Sequence, residues 1–401
     1  MKKLNNKNWH IVCVCVGIGF PHGDAQAKRI RLIAKALLEK DFKFTVLHIG
    51  GSPHRSNLEK KGVFDNIQFQ YCPSNVERPA NAFKRKIMYL QGVVQTLNEI
   101  RVIRKQEQNV CVYAWTPGIP GLMYRLLLKM FAIPVVQEVN EWWPGKMEWI
   151  IKCTGLLFTD GTIAISKMIE DRLNMLSGSF KISNKIIRIP VLTSIEDPIR
   201  SEFPASLTER FQKPYILWCG NIKGYFRDVK FMIHAHRNVI KSGTKCTLVI
   251  VGRLDDLTKK QLQDYIHEIG SDEKNVHFPG YVSDNELEQL MQNAGSLLLP
   301  LWDDDRSHCR FPTKLGEYLL SGKPVITCRV GDLSDYLIDN ESVYFFPPGD
   351  VDKFAEKMCK IINNYKLADS IGLQGRLQAE INLNYKSKSR QLADLFYLVS
   401  R

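Results

Sequence analysis

Several protein classes are excluded by what the sequence lacks. It contains no run of about 18 uncharged apolar residues, and the nearest candidates, Gly121–Val136 and Trp149–Ile165, are interrupted by charged residues. No bilayer-spanning helix is therefore predicted, although both segments are compatible with a position on a membrane surface. The ten cysteines form no C-x-x-C pair and mostly lie in apolar runs, which indicates buried, reduced thiols rather than disulfides or zinc ligands. Repeats and low-complexity tracts are also absent from the sequence.

The first 27 residues have two interpretations. Lysines precede the apolar run Ile11–Phe20, and Ala25-Gln26-Ala27 resembles a signal-peptide cleavage site. The same run fits the buried first strand of an α/β domain. We favour the strand, because cleavage would remove it together with the loop that follows, and we therefore expect a cytoplasmic protein.

Charge is unevenly distributed along the 401 residues. Lys and Arg total 55 and Asp and Glu total 42, a formal net charge of +13. Residues 1–190 hold 28 basic and 14 acidic side chains, a net of +14, whereas residues 191–401 hold 27 and 28, a net of −1. The first half is thus expected to face an anionic partner. Nucleic acid is disfavoured, because no nucleic-acid-binding module is recognisable.

Both halves alternate short apolar runs with helical patterns, which is typical of parallel sheets covered by helices. We predict two doubly wound, Rossmann-like α/β domains that face each other across a cleft. Residues 1–192 form the first domain, 193–213 a connection, 214–372 the second domain, and 373–401 a C-terminal helix that packs back toward the first. The predicted strands are Ile11–Val16, Phe44–His48, Ile67–Tyr71, Val110–Ala114, Pro134–Val139, Gly161–Ile165 and Ile186–Pro190, then Tyr215–Cys219, Thr247–Val251, Val276–Phe278, Ser296–Pro300, Val325–Thr327 and Val343–Phe346.

The strongest local signal is the segment from Arg310 to Ile326. A polar loop leads into a helix predicted to begin near Thr313, and a buried strand follows. Backbone N–H groups at such a helix N-terminus favour an anion, phosphate in particular. Glu317 lies one turn inside, where its carboxylate can accept two hydrogen bonds from a ribose diol. The alternative is a capped helix with a solvated glutamate.

Motifs in the second half resemble family 4 glycosyltransferases. They are Asn275-Val-His-Phe-Pro-Gly-Tyr-Val-Ser283, Leu297-Leu-Leu-Pro300, Phe311-Pro-Thr-Lys-Leu-Gly-Glu-Tyr318, Gly322-Lys-Pro-Val-Ile326 and Phe346-Pro-Pro-Gly-Asp350. The third motif fits the F-P-x-K-L-x-E-Y variant of this family. The resemblance implies a retaining enzyme with the GT-B fold that takes a nucleotide-sugar donor and needs no cofactor or divalent metal.

The resemblance also assigns the donor residues. Glu317 looks like the residue that holds the donor ribose, and Gly220 like the glycine that opens the first loop of the second domain. The remaining donor candidates border the diphosphate or the nucleobase: Pro312, Thr313 and Lys314; Lys223, Arg227 and Arg310; and Gly280, Tyr281 and Val282. A cation there would neutralise the nucleoside diphosphate as it leaves, and Arg227 is also considered for a catalytic role.

The sequence departs from the family pattern at one acidic position. The E-x7-E pattern requires a glutamate at position 309, which is Cys309 here. Members with this motif variant commonly lack that glutamate, so activity is still expected, but Arg306, His308 and Arg310 become candidates for contacts with the sugar. The run Asp303-Asp304-Asp305 resembles a metal-binding D-x-D motif, yet it is interpreted as a solvated acidic loop.

Two segments of the first half resemble family elements. The loop Gly17–Asp24, with Gly19, Gly23 and Asp24, is similar to the loop that meets donor phosphate and acceptor. Val139-Asn140-Glu141-Trp142-Trp143-Pro144 aligns with V-H-D-x-W-P, so Asn140 and Glu141 are candidate catalytic residues. Asn140 can donate a hydrogen bond but carries no proton. Glu138 is interpreted as a carboxylate paired within the basic half.

The basic half suggests the acceptor. Basic residues cluster with apolar and aromatic ones between positions 78 and 105: Arg78, Lys84, Arg85, Lys86, Arg101, Arg104 and Lys105, with Phe83, Met88, Tyr89 and Leu90. This composition suits a glycan or a lipid-diphosphate acceptor at the inner, anionic face of a plasma membrane; a merely soluble basic surface is the alternative. We expect transfer in bacterial surface polysaccharide synthesis. A sugar-nucleotide epimerase of the same fold and an inactive binding subunit remain alternatives.

Overall fold

The computed structural model describes residues 9–143, 145–195 and 211–399. The chain divides into two compact units. Unit 1 comprises Met1–Leu192 together with Asn384–Arg401, and unit 2 comprises Thr193–Leu383. Residues 196–210 of the predicted connection, and Pro144 of the V-H-D-x-W-P-like segment, lie outside the described residues.

Unit 1 is built around one twisted sheet. Its strands are β1 (Trp9–Cys15), β2 (Lys43–His48), β3 (Lys61–Phe64), β4 (Ile67–Tyr71), β5 (Asn109–Trp115), β6 (Val135–Val139), β7 (Gly161–Ala164) and β8 (Lys185–Arg188). Its helices are α1 (Ala25–Leu38), α2 (Ala82–Gln106), α3 (Gly118–Met130), α4 (Lys146–Leu157) and α5 (Lys167–Ser179), with a further helix at Tyr385–Val399. The strand order is β3-β4-β2-β1-β5-β6-β7-β8, and β3 alone among these strands is antiparallel to its neighbour. The order reverses between β1 and β5.

Helices cover both faces of this sheet. Residues Ile30, Ile33, Ala34 and Leu37 recur at helical spacing on α1 and are buried in one core with the Tyr385–Val399 helix. The other core is formed by residues of α2 and α3 on the opposite face, including Ile100, Tyr124 and Leu128. The strands read as continuous apolar runs because both faces of a parallel sheet are buried.

One close approach requires a glycine. A Cβ on Gly92 of α2 would lie 1.7 Å from the carbonyl oxygen of Ile49, so no larger residue fits without moving the helix. Gly178 in α5 is different, because a Cβ there would meet nothing within 4 Å.

A buried ion pair links three parts of unit 1. Arg29 Nε of α1 lies 2.7 Å from Glu138 Oε1 of β6, and the two side chains are 6% and 1% exposed. Tyr113 also donates to Glu138, and Arg29 donates to the carbonyls of Ile189 and Pro190. Burial raises the pKa of Glu138, while Arg29 and Asn140 act in the opposite direction. The prediction that Glu138 is a paired structural carboxylate is confirmed.

Buried histidines accompany the strand ends. His48 stacks on Tyr71 with ring centroids 4.1 Å apart, and its Nδ1 lies 3.1 Å from Cys15 Sγ. Burial lowers the pKa of His48 to about 3 and that of His10, which is bonded to Thr45, to about 4. Burial also raises the pKa of the Cys15 thiol, so this Cys–His contact is a neutral packing pair.

Unit 2 contains a fully parallel sheet. Its strands are β9 (Tyr215–Cys219), β10 (Thr247–Val251), β11 (Val276–Gly280), β12 (Ser296–Leu299), β13 (Val325–Cys328) and β14 (Tyr344–Phe346), in the order β11-β10-β9-β12-β13-β14. Its helices are α6 (Phe226–Lys241), α7 (Asp256–Glu268), α8 (Asp284–Asn293), α9 (Asp305–His308), α10 (Thr313–Leu320), α11 (Val351–Asn363) and α12 (Tyr365–Asn382). The helix at Tyr385–Val399 is α13.

Most predicted elements are confirmed, and two points are corrected. Every predicted strand matches an observed one to within two residues at each end, and the strand β3 was not predicted. The predicted helical stretch 373–401 is instead divided between α12 and α13, because the Asn384 side chain accepts from the N–H of Lys386 at 2.9 Å and starts a new helix. Across the described residues, no helix is long and apolar enough to cross a membrane.

Candidate functional site

The site predicted for the donor lies at the topological switch point of unit 2. The sheet order reverses between the neighbours β9 and β12. In open parallel sheets, ligands bind beyond the carboxyl ends of the strands at this point. The loop after β9 leads into α6, and the loop after β12 leads through α9 into α10. These two loops carry most of the predicted donor residues.

The start of α10 holds a polar pair. Helix α10 begins at Thr313 as predicted, after Pro312, which has no N–H to leave unpaired. Lys314 Nζ lies 2.7 Å from Glu317 Oε2, and these side chains are 32% and 29% exposed. Partial burial lowers the pKa of Lys314, but Glu317 and Cys219 outweigh it, so the pKa lies above its usual value. The ammonium therefore stays charged beside the free amides of the first helical turn.

Hydrogen bonds connect α10 to the end of β9. The hydroxyl of Tyr318, which is fully buried, accepts from the N–H of Cys219 at 2.9 Å. Lys314 also contacts the side chain of Cys219. The tyrosine of the F-P-x-K-L-x-E-Y motif thus positions α10 against the strand, and the lysine and glutamate remain on its accessible side.

Three arginines surround two aromatic side chains in the same loops. We call Arg227, Arg306 and Arg310 the arginine cluster. Arg310 Nη1 donates to the Tyr225 hydroxyl at 3.1 Å, and Arg306 lies 5.9 Å from the centre of the Tyr225 ring. The Arg227 guanidinium lies 3.4 Å from the centre of the Trp302 ring, a cation–π contact.

Two members of the cluster form no direct ion pair with a carboxylate among the described residues. Within the described part of the chain, neither Arg227 nor Arg310 lies within ion-pair distance of a carboxylate, and the buried Nε of Arg310 has no hydrogen-bond partner. Buried donors are normally satisfied. The cluster is therefore suited to receive an anion.

A buried aspartate holds the cluster in place. Asp228, 6% exposed, accepts a hydrogen bond from the indole of Trp302, which the Arg227 side chain covers. Burial raises the pKa of Asp228, and Trp302 and the three arginines oppose that shift. Tyr225, Trp302 and Asp228 were not predicted as site residues. Trp302 and Asp228 are 74 residues apart in the sequence, and a single sequence gives no sign of a contact between residues so far apart.

The loop after β9 places the other two predicted residues differently. A Cβ on Gly220 would lie 2.7 Å from the Trp218 ring, and the oxygen of Gly220 would be 2.1 Å from a Cβ on Gly252. Gly220 thus leaves room for the Trp218 ring, and Gly252 allows the chains after β9 and β10 to approach. Lys223 is 75% exposed and pairs with Asp255 at 3.3 Å. Of the two cations predicted in this loop, Arg227 belongs to the cluster, whereas Lys223 is paired with Asp255.

The segment predicted to border the nucleobase lines a cavity. Strand β11 ends at Gly280, whose φ of +82° is readily adopted by glycine. Tyr281 is 69% exposed beside Arg253, and Val282 is buried. Both line a cavity of about 310 Å³, together with Phe211, His277 and Glu286. An open cavity with apolar and polar walls is of the kind that accepts a planar ring.

The position of the missing family glutamate is buried. Cys309 has no exposed surface. The neighbouring His308 accepts from the N–H of Gly331 at Nδ1 (3.3 Å), and its Nε2 lies 2.7 Å from Asp303 Oδ1. Asp304 caps α9 by accepting from Ser307 N–H at 2.8 Å. Asp303 and Asp304 are therefore engaged locally. No group of three or more His, Cys, Asp or Glu residues suited to a metal occurs within the described ranges.

In unit 1, the predicted loop follows β1 at the sheet's own switch point. Its glycines are sterically required, because a Cβ on Gly19 would lie 2.6 Å from His22 O and one on Gly23 would lie 2.2 Å from Gly19 O. The loop is tied to Asn57, which accepts from His22 N–H at 3.0 Å and donates to His22 O at 2.7 Å. Asp24 precedes α1, is 82% exposed and lies 3.4 Å from His54 Nε2.

The two candidate catalytic residues of unit 1 follow β6. Asn140 contacts the buried Glu138, and its Oδ1 is buried without a hydrogen-bond partner. Glu141 is exposed and accepts from the Trp143 indole at 3.1 Å. The structure thus separates three polar residues that lie close in sequence: Glu138 is internal, Asn140 lies at the boundary, and Glu141 faces solvent.

Comparison with known proteins identifies one domain family and several structures of similar fold. Residues 213–364 match the family model Glycosyl transferases group 1. Similar solved structures include sucrose-phosphate synthase from Thermosynechococcus elongatus, at 15% identity and a TM-score of 0.70, over 98% of this chain and 99% of that one. A glycosyltransferase from Rickettsia africae has 16% identity and a TM-score of 0.70, over 98% and 99%. Anabaena Alr3699/HepE in complex with UDP and glucose has 15% identity and a TM-score of 0.70, over 97% and 99%. No curated protein matches in a sequence search.

The class of protein follows from the fold and the family match together. The chain has the two-domain α/β architecture of GT-B glycosyltransferases, and its unit 2 carries a Glycosyl transferases group 1 domain. The protein is therefore an enzyme, a glycosyltransferase of the GT-B type.

Proposed function

We propose that this enzyme moves a sugar from a nucleoside-diphosphate donor to a glycan or lipid-linked acceptor, with retention of the anomeric configuration. The observation that carries the proposal is the arrangement at the unit 2 switch point. There the Lys314–Glu317 pair at the start of α10 and the arginine cluster occupy the loops after two neighbouring strands.

Each part of this arrangement has a partner in such a donor. Arg310, with its unsatisfied Nε, Arg227 and the first amides of α10 suit the diphosphate, whose negative charge grows as the glycosidic bond breaks. In enzymes from which one such preorganised hydrogen-bond donor has been removed, the loss of transition-state stabilisation is about 3–4 kcal/mol. Glu317 then accepts from the ribose diol, and Lys314 pairs with its carboxylate.

The cavity beside Tyr281 and Val282 is our proposed nucleobase site. Its lining combines polar and apolar residues and includes the end of β11. A similar structure, Anabaena Alr3699/HepE, was solved with UDP-glucose, which makes uridine the first base to test.

For the acceptor, we propose the side of unit 1 that carries the Gly17–Asp24 loop, Asn140 and Glu141. Asn140 offers a buried, unpartnered oxygen and Glu141 an accessible carboxylate after the same strand. Sugar hydroxyls supply both donors and acceptors for such groups. The net charge of +14 over residues 1–190 favours an anionic acceptor, and bacterial surface polysaccharide synthesis remains our proposed setting.

Ligand-induced thermal stabilisation tests the donor assignment. The wild type is measured with UDP, GDP, ADP and dTDP and with their sugars, beside Arg310→Gln. Arg376→Gln is the control, because Arg376 is an arginine of the same unit that pairs with Glu380 on α12. We expect stabilisation by one nucleotide, a much smaller shift in Arg310→Gln, and no change in the control.

The outcomes separate the candidate functions. Hydrolysis of the donor is monitored by ¹H NMR. If the sugar that forms first keeps the donor's anomeric configuration, the result supports a retaining transferase. An inverted configuration refutes the proposed retention. Interconversion of the donor sugar without transfer indicates an epimerase. No stabilisation by any nucleotide refutes the donor site and leaves an inactive binding subunit.

A further inference from the structure

Helix α2 exposes a second apolar face in addition to its buried one. Phe83, Ile87, Leu90 and Val94 are 70%, 42%, 66% and 59% exposed. Their spacing of four, three and four residues places them along one line of the helix, over about 16 Å at 1.5 Å per residue. The opposite side packs into the core through Met88, Gly92, Thr96 and Ile100. The exposed apolar side chains are therefore not the ones that pack α2 into the core.

Helix α3 repeats this arrangement. Ile119, Met123 and Met130 are 59%, 56% and 72% exposed, and Phe131 after the helix is 41% exposed. Tyr124 and Leu128 on the opposite side are buried. Two neighbouring elements thus expose large apolar side chains where a solvated helix normally carries polar ones.

The two exposed lines lie side by side on one surface. The Tyr89 hydroxyl donates to Pro120 O at 3.1 Å near the start of α3, and Arg104 donates to Phe131 O at 3.1 Å at its end. Both helices also pack into the same core on one face of the sheet, so their solvent sides point the same way. We call this surface the apolar face: Phe83, Ile87, Leu90, Val94, Ile119, Met123, Met130 and Phe131.

Positive charge surrounds the apolar face. Helix α2 carries Lys84, Arg85, Lys86, Arg101, Arg104 and Lys105, and its single acid, Glu99, accepts a hydrogen bond from Gln70. Helix α3 has no acidic residue, and the Arg101 guanidinium lies over Phe131 at 4.8 Å. Large apolar side chains exposed together beside a set of cations mark an interaction site rather than ordinary solvated surface.

We propose that the apolar face docks on an anionic lipid bilayer, with the apolar side chains entering the boundary between headgroups and acyl chains. An amphipathic surface of this kind binds through buried apolar area together with attraction of Lys and Arg to anionic headgroups. The one-sided charge favours lipid over a second copy of the chain, because two such basic faces would repel each other. This goes beyond the proposed function, since the face belongs to unit 1 and the donor residues to unit 2.

Vesicle flotation tests the proposal without any donor or acceptor. The full chain is mixed with vesicles of phosphatidylcholine alone, or of phosphatidylcholine with about one third phosphatidylglycerol. The test variant is Leu90→Gln with Met123→Gln. The control is Leu257→Gln with Leu373→Gln in unit 2, whose exposures of 66% and 56% equal those of Leu90 and Met123.

We expect binding to the anionic vesicles, reduced about tenfold or more in the test variant and unchanged in the control. Lys84→Gln with Lys86→Gln is expected to weaken binding about fivefold per charge at low salt. Equal binding by wild type and test variant would overturn docking through this face, as would binding to neither vesicle. Concentration-dependent dimerisation that the test variant abolishes would make the face a protein interface and overturn the lipid assignment. Loss of vesicle binding leaves nucleotide stabilisation unaffected, so the two proposals fail separately.

Discussion

Replacing Glu317 by glutamine is the sharpest test of the donor site. In the free protein this carboxylate is held by Lys314 at 2.7 Å, at about one-third exposure. A partly exposed pair of this kind contributes at most about 1 kcal/mol, so the fold is expected to tolerate the change. In the complex, the carboxylate would accept from two ribose hydroxyls. Hydrogen bonds to a charged group are worth about 1.5–3 kcal/mol each, and glutamine can replace part of one.

The expected result is a nucleotide affinity about 10- to 100-fold lower in Glu317→Gln. Isothermal titration calorimetry with the nucleotide that stabilises the wild type measures it. A matched control exists on α11, where Lys353 and Glu356 form another i,i+3 pair at 2.7 Å. Glu356→Gln removes the same type of contact from the same unit and is expected to leave affinity unchanged.

The reasoning would be refuted by an affinity that Glu317→Gln leaves within twofold of the wild type while Arg310→Gln lowers it. In that case the anion site is present, but the ribose does not contact Glu317. An equal loss in Glu317→Gln and Glu356→Gln would instead point to a general loss of stability. Urea unfolding of each variant identifies that case independently.

Three further predictions concern the fold of unit 1. Glu138→Gln leaves Arg29 buried without its carboxylate, and urea unfolding is expected to show a loss of about 3–5 kcal/mol; a loss below 1 kcal/mol would contradict the buried pair. Gly92→Ala is expected to cost about 1–3 kcal/mol through overpacking, whereas Gly178→Ala, in open space on α5, should stabilise by about 0.5–1 kcal/mol. The pKa of His48 is about 3 when folded and 6.5 when unfolded, so the unfolded chain binds the extra proton. Stability is then fully present above pH 6.5 and falls as the pH is lowered, by on the order of 1.4 kcal/mol per pH unit, and His48→Gln should flatten that slope.

The elements of the fold were predictable because their signals are local. Strands such as β9 and β10 are continuous apolar runs bounded by polar turns, and Ser283 with Glu286 forms the capping box that starts α8. Strand β3, Lys61–Phe64, is a short antiparallel edge strand with alternating exposure. It lacks the apolar run of a central strand, so only its pairing with β4 defines it.

The candidate site was predictable only in part. Residues that share a segment with the motif, such as Lys314 and Glu317, were identified through that motif. The arginine cluster depends instead on Tyr225, Trp302 and Asp228, which meet only when the chains after β9 and β12 lie side by side. A tryptophan in an acidic loop is ordinary in a sequence, and its role comes from the buried carboxylate that its indole reaches.

The structure offers a physical reason for the two departures from the family pattern, Cys309 and Asn140. A glutamate at position 309 would need a charge where the existing cysteine has no exposed surface, and burying an unpaired carboxylate is costly. Arg310, one residue later, instead presents a cation held by Tyr225. Asn140 follows the same logic, because a protonated histidine beside the Arg29–Glu138 pair would compete with Arg29 for the carboxylate, whereas an amide hydrogen-bonds Glu138 without adding charge. Both substitutions therefore keep the interior of their unit neutral while leaving polar contacts at its edge.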